Sequence, residues 1–350
     1  MVNSMWRELK QAGGQVISWV PLPIWHHFLG IELIVPRYHV VGDREPAHVD
    51  GLSIFREERR FKEDLDFFLE KYVPVSLKDV IDCMEGIGHL PKRCFLVTFD
   101  DGFREAHDVI APILVSKGIP AVFFLNPSVI DNRELLSEQK KCLLLRALRF
   151  RAHPRVSQRD SETLSCAGIG GTDLSARIRG IPYASRSLLD SLARELDCDF
   201  AAYADEVRPY ITSAQTQHLI RQGFSIGAHS MDHPRYTELR LDEQLAETRE
   251  SIRFFRERFN YECLTFSFPY WDTGVLPEFF REIYADGDLK VSFGSDGMHR
   301  HFFPRNLERL KMEYPGLAAP QILAREYCLA LIRRPWWMGR ITVMSDALET

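Results

Sequence analysis

Two carboxylates stand side by side at the end of an apolar run, in the segment FLVTFDDGF. The run before them is typical of a buried strand, so both charges can be solvated only if the strand ends at a cleft. Adjacent anions also resist joint ionisation unless a cation or a retained proton lies between them. Because α/β barrels place their reacting groups at the carboxyl ends of strands, Asp100 and Asp101 are candidates for acid–base or metal chemistry.

A pair of histidines follows a second apolar run, in the segment GAHSMDH. His229 and His233 are four residues apart, so both imidazoles would face one point if the chain turns helical there. A lone HxxxH pair lies on a protein surface more often than at a metal, but this pair accompanies carboxylates that need a cation. One carboxylate and two histidines form a facial ligand set with open positions for water and substrate. We therefore predict one divalent metal ion, with zinc as the first expectation and cobalt, nickel or manganese as alternatives.

The segment FSFPYWD closes a third apolar run. Pro269 at the end of a strand would fix the direction of the next backbone N–H, which suits a donor to an oxyanion. A proline followed by an aromatic residue is more often a simple turn, so this motif carries weight only beside the other two. We expect Pro269 and Trp271 to contact the substrate.

Strands must position these motifs, and apolar runs do alternate with amphipathic stretches along the chain, as in a protein whose helices cover its strands. The predicted strands span 31–41, 94–99, 121–125, 224–228, 264–268, 291–293 and 309–313. Apolar stripes predict helices at 61–72 and 241–259, and a third helix is predicted at 104–117, before a C-cap at Gly118. The expected fold class is α/β, with a parallel sheet or barrel.

The alternation lapses between about 131 and 212, where charged helical runs replace it. This indicates a helical insertion that emerges from one loop of the barrel and covers the site as a cap. The predicted organisation is a lead-in segment at 1–30, a barrel at 31–315 that contains the insertion, and a helix with a basic, aromatic tail at 316–350. The tail segment RRPWWMGR is either the snorkelling end of a docking helix or a contact with a membrane surface or a glycan.

The composition is that of an ordinary soluble globular protein, with 45% hydrophobic and 27% charged residues. A formal net charge of −5 provides no basic face, so no nucleic-acid partner is expected. Seven scattered cysteines without a CxxC pair indicate neither a zinc knuckle nor a disulfide framework. A reducing compartment therefore fits best.

The apolar segment at 16–35 contains two prolines, two histidines and a glutamate, and no basic n-region with a cleavage site accompanies it. We therefore predict neither a signal peptide nor a transmembrane helix, and a cytoplasmic location. The segment is either a buried lead-in to the first strand or a peripheral contact with the inner face of the membrane through Trp19 and Trp25.

Taken in order, TFDDG, HSMDH and FPYWD make the chain resemble the polysaccharide deacetylase family, also known as the NodB or chitooligosaccharide deacetylase homology domain and as carbohydrate esterase family 4. The likeness runs from the first predicted strand to the last, apart from the insertion, and it implies a distorted (β/α) barrel. It implies that Asp100 is the catalytic base and that the metal ligands are Asp101, His229 and His233. The backbone N–H of Tyr270 is then the donor to the oxyanion.

Two departures from the family pattern concern the groups around the base. Many members carry an arginine two residues before the proline of the third motif, where this chain has Ser267. The Leu-x-His motif that supplies the general acid is also missing, so His299 and His301 are the candidates, with Asp296 as orienting partner and a plain surface loop as the alternative. The segment RYHVV is similar to a YH pattern of the family and puts His39 near the barrel mouth, in contact with substrate or in a packing or supporting role.

The resemblance implies a metal-dependent hydrolase that removes N-acetyl or related acyl groups from a saccharide. The lack of an export signal favours a lipid-linked or cytosolic intermediate of exopolysaccharide biosynthesis as its substrate. A catalytically silent saccharide-binding or scaffold protein is one alternative, and a hydrolase of non-sugar amides, including cyclic ureides, is another. The intact Asp-Asp-His-His set argues against a silent protein, because without the cation buried charges would stay unpaired. The sequence predicts no oligomeric state.

Overall fold

The computed structural model describes residues 31–150, 169–170, 173–298 and 301–333. The predicted lead-in segment lies outside these residues, as do His299 and the basic, aromatic tail. Within the described part of the chain, no helix combines the length and the apolar character needed to cross a membrane. The six cysteines described there are free thiols.

Short strands and helices alternate along the described chain. The strands are β1 Leu33–Ile34, β2 Pro36–Tyr38, β3 Val40–Gly42, β4 Phe55–Glu57, β5 Val73–Pro74, β6 Cys94–Phe95, β7 Val97–Phe99, β8 Ala121–Leu125, β9 Ser225–Ala228, β10 Thr265–Ser267, β11 Val291–Phe293, β12 Asn306–Leu307 and β13 Leu310–Lys311. The α-helices are α1 Glu58–Lys71, α2 Leu77–Met84, α3 Ala111–Lys117, α4 Ser137–Phe150, α5 Leu174–Arg179, α6 Ser187–Glu195, α7 Phe200–Val207, α8 Ser213–Arg221, α9 Leu241–Phe259, α10 Pro277–Ala285 and α11 Ala319–Arg333.

Eight of these strands form one parallel sheet, in the order β12-β11-β10-β9-β8-β7-β2-β13. Two smaller parallel sheets are β1-β6-β5 and β3-β4. Parallel neighbours need long crossover connections, and here helices supply most of them. The predicted α/β fold with a parallel sheet of the barrel type is confirmed.

The two edge strands of the large sheet belong to one short stretch of chain. β12 pairs with β11 at one edge, and β13 pairs with β2 at the other. Only Glu308 and Arg309 separate β12 from β13, so one pass of the chain joins both edges. The sheet must therefore curl until its edges nearly meet, as in a distorted barrel, and Arg309 is fully buried at the junction.

Side chains of β7 alternate between the two faces of the large sheet. Val97 and Phe99 join the core cluster formed with the covering helices, whereas the preceding Leu96 joins a second cluster on the other face. Because side chains alternate, Thr98 and Asp100 lie on the same face as Leu96. Asp100 therefore points to the enclosed side of the curled sheet.

The predicted strand 31–41 is divided into β1, β2 and β3, which belong to three different sheets. Pro36 begins β2 and has no N–H to donate, which interrupts the hydrogen-bond ladder at that point. The predicted strands at 121–125 and 291–293 agree with β8 and β11.

The three predicted helices are confirmed, with one local difference. α1 and α9 bury the predicted stripes, including Phe61 and Leu65 in the first and Phe255 in the second. The helix predicted at 104–117 starts with a π-helical segment, Ala106–Ile110, before α3. It ends at Gly118, whose φ of 65° is the left-handed C-cap expected of a glycine.

Helices α4 to α7 occupy the predicted insertion, and α8 follows it before β9. Part of this region has its own core, which includes Leu144, Leu189 and Leu192. A second apolar cluster, with Val49 and Tyr210 among its members, joins the insertion to the loops after β3 and β7. The chain therefore builds a small helical layer against the barrel.

His48, which lies beside this second apolar cluster, has a pKa below its ordinary value. His48 stacks on Phe103 with ring centroids 5.5 Å apart, and its Nδ1 lies 3.0 Å from the hydroxyl of Tyr203 on α7. Burial, helped by the charge of Arg104, lowers the pKa of His48 from 6.5 to about 4. The folded chain therefore excludes a proton that the unfolded chain binds below pH 6.5.

We expect His48 to make stability depend on pH in the mildly acidic range. Its folded pKa lies below its unfolded pKa, so its contribution is complete above pH 6.5 and is lost as the pH falls towards 4, by about 3 kcal/mol in total. Urea unfolding at pH 7.5 and pH 4.5 measures this loss. In His48→Phe the difference between the two pH values should shrink by about 2 kcal/mol. The exposed His89→Gln is the control, and an equal change in both variants would contradict the assignment.

Candidate active site

Three residues of the predicted metal site lie together at the carboxyl ends of β7 and β9. Asp101 Oδ1 is 3.4 Å from His229 Nε2 and 3.2 Å from His233 Nε2. Taking one ligand atom from each residue, all three atoms lie within 4.8 Å of one another. Asp101 and His229 are buried, whereas the His233 side chain is 12% exposed. The cluster is therefore reached from the His233 side.

The backbone around this cluster adopts left-handed conformations that are uncommon for residues with a side chain. φ is 68° at Asp101, 56° at His233 and 61° at Tyr270. Each such residue costs about 1–3 kcal/mol and persists only where its surroundings fix it. Gly102 follows with a φ of 66°, and a Cβ there would lie 3.0 Å from the Leu125 side chain. The turn after β7 therefore requires the glycine of the DDG motif.

The orientation of His229 is determined by the neighbouring strand. Its Nδ1 lies 2.8 Å from the carbonyl oxygen of Ser267, which can only accept a hydrogen bond. Nδ1 therefore carries the proton, and the Nε2 lone pair faces Asp101. A histidine that donates through one nitrogen and is free at the other is the usual form of a metal ligand. Asn126 supports the same turn by donating to the backbone carbonyls of His229 and Ser230.

The Asp101 carboxylate has an environment that suits a cation. Its Oδ1 is buried and accepts no hydrogen bond from the residues that the structure describes. Such an oxygen is costly to leave without a partner, and a divalent ion shared with the two imidazoles would remove that cost. Burial alone would raise the pKa of Asp101, but His233 and His229 hold it well below its usual range. The three residues therefore fit a divalent metal.

Asp100 has a different partner, which the three motifs do not contain. Arg309 donates from Nη1 to Oδ1 at 2.6 Å and from Nη2 to Oδ2 at 2.8 Å, so the carboxylate is held by a bidentate pair. The guanidinium is itself fixed, because Nε donates to the Gly294 carbonyl at 2.9 Å and the group lies 5.3 Å from the Phe124 ring. Burial alone would raise the pKa of Asp100, but Arg309 and His229 lower it to about 2. Asp100 is therefore ionised at neutral pH.

Arg309 pairs with Asp100, as the arginine expected at position 267 from the family pattern would do. The hydroxyl of Ser267 makes no hydrogen bond within the described chain, and its backbone carbonyl accepts from His229 instead. Arg309 was visible in the sequence only as the first residue of a predicted strand. Its charge at the start of that strand was the available signal, but nothing local connected it to Asp100, which is 209 positions away.

A second histidine-carboxylate pair lies beside Asp100. His39 Nδ1 is 2.8 Å from Glu313 Oε1, and His39 Nε2 is 3.9 Å from Asp100 Oδ2. Burial alone would raise the pKa of Glu313, but His39 and Arg37 lower it. An ionised Glu313 accepts the Nδ1 proton, so the Nε2 of His39 is the nitrogen directed towards the base.

His301 lies in a separate cluster with two carboxylates. Its Nε2 is 3.4 Å from Asp272 Oδ2, and ligand-type atoms of Asp272, His301 and Glu308 lie within 4.8 Å of one another. Asp296 donates its backbone N–H to Glu308 at 2.9 Å, which keeps it in this cluster. Among the ion-pair contacts of the described residues, none joins His301 to Asp100.

The third motif lines the open side of the metal cluster. The Tyr270 ring lies 4.8 Å from the His233 ring, between centroids, and no acceptor in the described chain takes the Tyr270 N–H. Trp271 is 42% exposed and contacts Tyr270, whereas Pro269 is buried beneath them. Arg235 stacks on both aromatic rings, with its Cζ 4.0 Å from Tyr270 and 4.7 Å from Trp271.

A pocket of about 200 Å³ opens beside His233 and Tyr270. We call it the insertion pocket, because the insertion supplies most of its wall. Its lining residues are Ser137, Glu138, Lys141, Arg179, Gly180, Ile181, Pro182, Tyr183, Arg186, Leu189, His233, Arg235, Glu238 and Tyr270. Substrate bound at the cluster would therefore also contact the helical layer.

Comparison with known proteins gives one family. A sequence model of the family described as polysaccharide deacetylase matches residues 88–149 and 183–282. The match includes the DDG turn, both histidines of the second motif and Tyr270. It leaves out 150–182 as well as His39 and Arg309. Curated proteins give no significant match.

Solved structures of deacetylases share the fold. The Streptococcus pyogenes deacetylase PplD in complex with acetate is 14% identical, with a TM-score of 0.54 over 85% of this chain and 98% of that chain. IcaB from Ammonifex degensii is 16% identical, with a TM-score of 0.54 over 86% and 98%. A de-N-acetylase from Aggregatibacter actinomycetemcomitans is 14% identical, with a TM-score of 0.50 over 82% and 97%. At such identities the likeness establishes the architecture.

We expect Arg309→Lys to weaken the base without emptying the metal cluster. A lysine cannot form the bidentate pair, so the pKa of Asp100 should rise and the acid limb of the hydrolysis rate against pH should move to higher pH. We expect kcat for hydrolysis of an acetylated amino sugar to fall about 10–100-fold, since general-base catalysis is worth about 10²–10⁴-fold. The pH profile and the metal content of the purified variant measure the two effects.

Arg305→Gln is the matched control, because it removes a charge from the same stretch of chain without contact to Asp100. A pH profile of Arg309→Lys that superimposes on the wild-type profile would refute the pairing role of Arg309.

Proposed function

Because this chain belongs to the polysaccharide deacetylase family, a class of hydrolases of carbon–nitrogen bonds, we propose that it removes an N-acetyl or related acyl group from a saccharide in a metal-dependent reaction. The observation that carries the proposal is the meeting of Asp100 and Asp101 with His229 and His233, across more than a hundred positions of sequence. A purely structural pair of carboxylates would not need two imidazoles with inward Nε2 atoms.

Asp101, His229 and His233 are the proposed ligands of the divalent cation. When bound, such a cation polarises the acyl carbonyl and brings the pKa of water down towards about 7. The chain prepares the site by fixing the His229 tautomer through Ser267 and by burying the Asp101 carboxylate. Zinc is the first expectation, and the ligand set also suits cobalt, nickel or manganese.

Asp100 is the proposed general base. It is ionised at neutral pH and lies 4.0 Å from His229 Nε2, so it can accept a proton from water that attacks beside the metal ligands. Arg309 uses both of its Nη atoms on the carboxylate and keeps it from turning away. The role of Arg309 is therefore one of positioning.

The backbone N–H of Tyr270 is the proposed oxyanion donor. This N–H lies beyond the end of β10 and has no acceptor within the described chain, which leaves it available to substrate. One such donor is worth about 3 kcal/mol in the transition state. Trp271 and Arg235 form the adjoining wall, where a sugar ring can stack.

His39 is the proposed general acid among the described histidines, whereas His299 lies outside them and stays a candidate from the sequence. Glu313 holds its Nδ1, so the Nε2–H of a protonated His39 can give its proton to the leaving amine. The Nε2 is on the Asp100 side of the cluster, whereas His301 is held by Asp272 in another one. Arg309 and His39 thereby supply the two groups that the family motifs lack in this chain, which supports an active enzyme over a silent binding protein.

We propose a lipid-linked or cytosolic saccharide of exopolysaccharide synthesis as the natural substrate. The similar structures include a deacetylase crystallised with acetate and a de-N-acetylase, which supports an acetyl group as the one removed. Hydrolysis of a non-sugar amide uses the same groups and is the remaining alternative. A screen for acetate release from acetylated glycans, lipid-linked sugars and cyclic ureides, with added divalent metals, separates these classes.

We expect two substitutions to distinguish the role of the base from that of the metal ligands. Asp100→Asn should keep the metal and lose hydrolysis of acetylated sugars by at least about 10²-fold, because the base cannot accept a proton. His229→Ala should lose both the metal and activity. Metal analysis after gel filtration, together with acetate release, measures the pair. Full metal occupancy in His229→Ala would refute the ligand assignment.

We expect His39→Gln to discriminate between leaving groups. An amine leaving group must be protonated, so kcat on an N-acetylated sugar should fall by about 10²–10⁴-fold. 4-Nitrophenyl acetate releases an anion that needs no proton, so its hydrolysis should fall less than about tenfold. His89→Gln, an exposed histidine at the opposite ends of the strands, is the control. Equal losses on the two substrates would exclude His39 as the acid.

A further inference from the structure

The insertion pocket has an excess of positive charge, although the chain as a whole carries a formal net charge of −5. Its lining contains four cationic side chains and two carboxylates, a difference of two positive charges. The cations are Lys141, Arg179, Arg186 and Arg235, and the carboxylates are Glu138 and Glu238. The excess is therefore a local property of this wall and does not follow from overall composition.

Three of the four cations are paired with carboxylates. Lys141 Nζ lies 2.9 Å from Glu138, and Arg186 Nε lies 3.2 Å from Asp232. Arg235 is 3.8 Å from Glu238. These pairs hold their cations in the wall and leave little free charge.

Arg179 is different, because its guanidinium has no carboxylate partner within the described chain. It is the last residue of α5 and is exposed, and its carbonyl lies 3.5 Å from Lys141 Nζ, which brings the two cations to the same rim. α6 begins at Ser187, and Arg186 and Leu189 at its amino-terminal end line the same pocket. The positive end of a helix and an unpaired guanidinium both favour an anion.

The position of Arg179 also separates it from the common machinery. The family match stops at residue 149 and resumes at 183, so Arg179 lies in a segment that the family model does not cover. His233 and Tyr270 line the same pocket. A group bound at Arg179 would thus belong to a substrate whose acyl group reaches the metal cluster.

We propose that the insertion pocket binds an anionic group, a phosphate or a carboxylate, carried by the acylated saccharide, and that Arg179 is its main cationic contact. This rests on the proposed deacetylase function and specifies its substrate class. A neutral glycan offers nothing to compensate the unpaired charge of Arg179, whereas an anion pairs with this guanidinium directly and forms charge-assisted hydrogen bonds. The insertion then selects the substrate, and the barrel carries out the reaction.

The test compares three acetylated sugars as substrates of the metal-loaded full chain. N-Acetylglucosamine is neutral, its 1-phosphate carries a phosphate, and N-acetylmuramic acid carries a carboxylate. We expect kcat/KM of at least one anionic sugar to exceed that of the neutral sugar tenfold or more, mainly through KM. The anion that is preferred identifies the group. Equal or lower kcat/KM for both anionic sugars would overturn the proposal.

Arg179→Gln and Arg221→Gln form a matched pair of variants. Both remove an exposed arginine without an ion pair in the described chain, but Arg221 precedes β9 and lies at the end of the strand opposite the site. Arg179→Gln should reduce the preference for the anionic sugar at least tenfold, and Arg221→Gln should leave it unchanged. Equal preference in all three proteins would also overturn the proposal.

Equilibrium binding keeps the two proposals separable. Calorimetric titration of the metal-loaded protein with N-acetylglucosamine 1-phosphate requires no turnover, and any phosphate–metal contact is common to wild type and Arg179→Gln. Binding that is weakened at least tenfold in Arg179→Gln supports the pocket even if no sugar is deacetylated, in which case the deacetylase proposal fails alone. Identical binding by the two proteins would contradict anion binding in the insertion pocket and leave the deacetylase proposal intact.

Discussion

Two buried carboxylates side by side at the end of one strand dominate this structure, because each needs its own positive partner. Asp100 is matched by the guanidinium of Arg309, whereas Asp101 lies with the imidazoles of His229 and His233 in the cluster proposed to hold the cation. The two partners are not interchangeable. The bidentate arginine keeps Asp100 ionised and fixed in place, whereas Asp101 keeps an oxygen free of hydrogen bonds within the described chain. One carboxylate is thereby suited to accept protons and the other to bind a metal.

This separation of roles depends on the closure of the sheet. Arg309 stands between the two edge strands, so it reaches Asp100 only because one pass of the chain joins both edges. The same closure brings Glu313, just after β13, to His39, which directly follows the neighbouring strand β2. The base and the proposed acid are therefore both supported by the last stretch of the barrel. A parallel barrel allows this, because the carboxyl ends of all its strands converge on one mouth and a given group can come from any of them.

The helical insertion adds a different kind of surface to the same mouth. The barrel contributes the strained turns and buried charges of the cluster, whereas the insertion contributes a polar wall of paired and unpaired cations. The barrel groups coincide largely with the family match, and the wall around Arg179 falls outside it. Chemistry and recognition are thus assigned to separate parts of the chain that meet at His233 and Tyr270.

The sequence by itself determined the α/β fold class, most strand positions and the cluster of Asp101, His229 and His233. Each of these follows from a requirement that acts within a few residues, such as a charge that ends a buried strand or two histidines on one turn. Arg309, the His39–Glu313 pair and the insertion pocket were decided only by the tertiary structure. Their partners are 209 and 274 positions apart in the first two cases. Which distant strand ends become neighbours depends on strand order and on closure of the sheet, and local patterns carry no information about either.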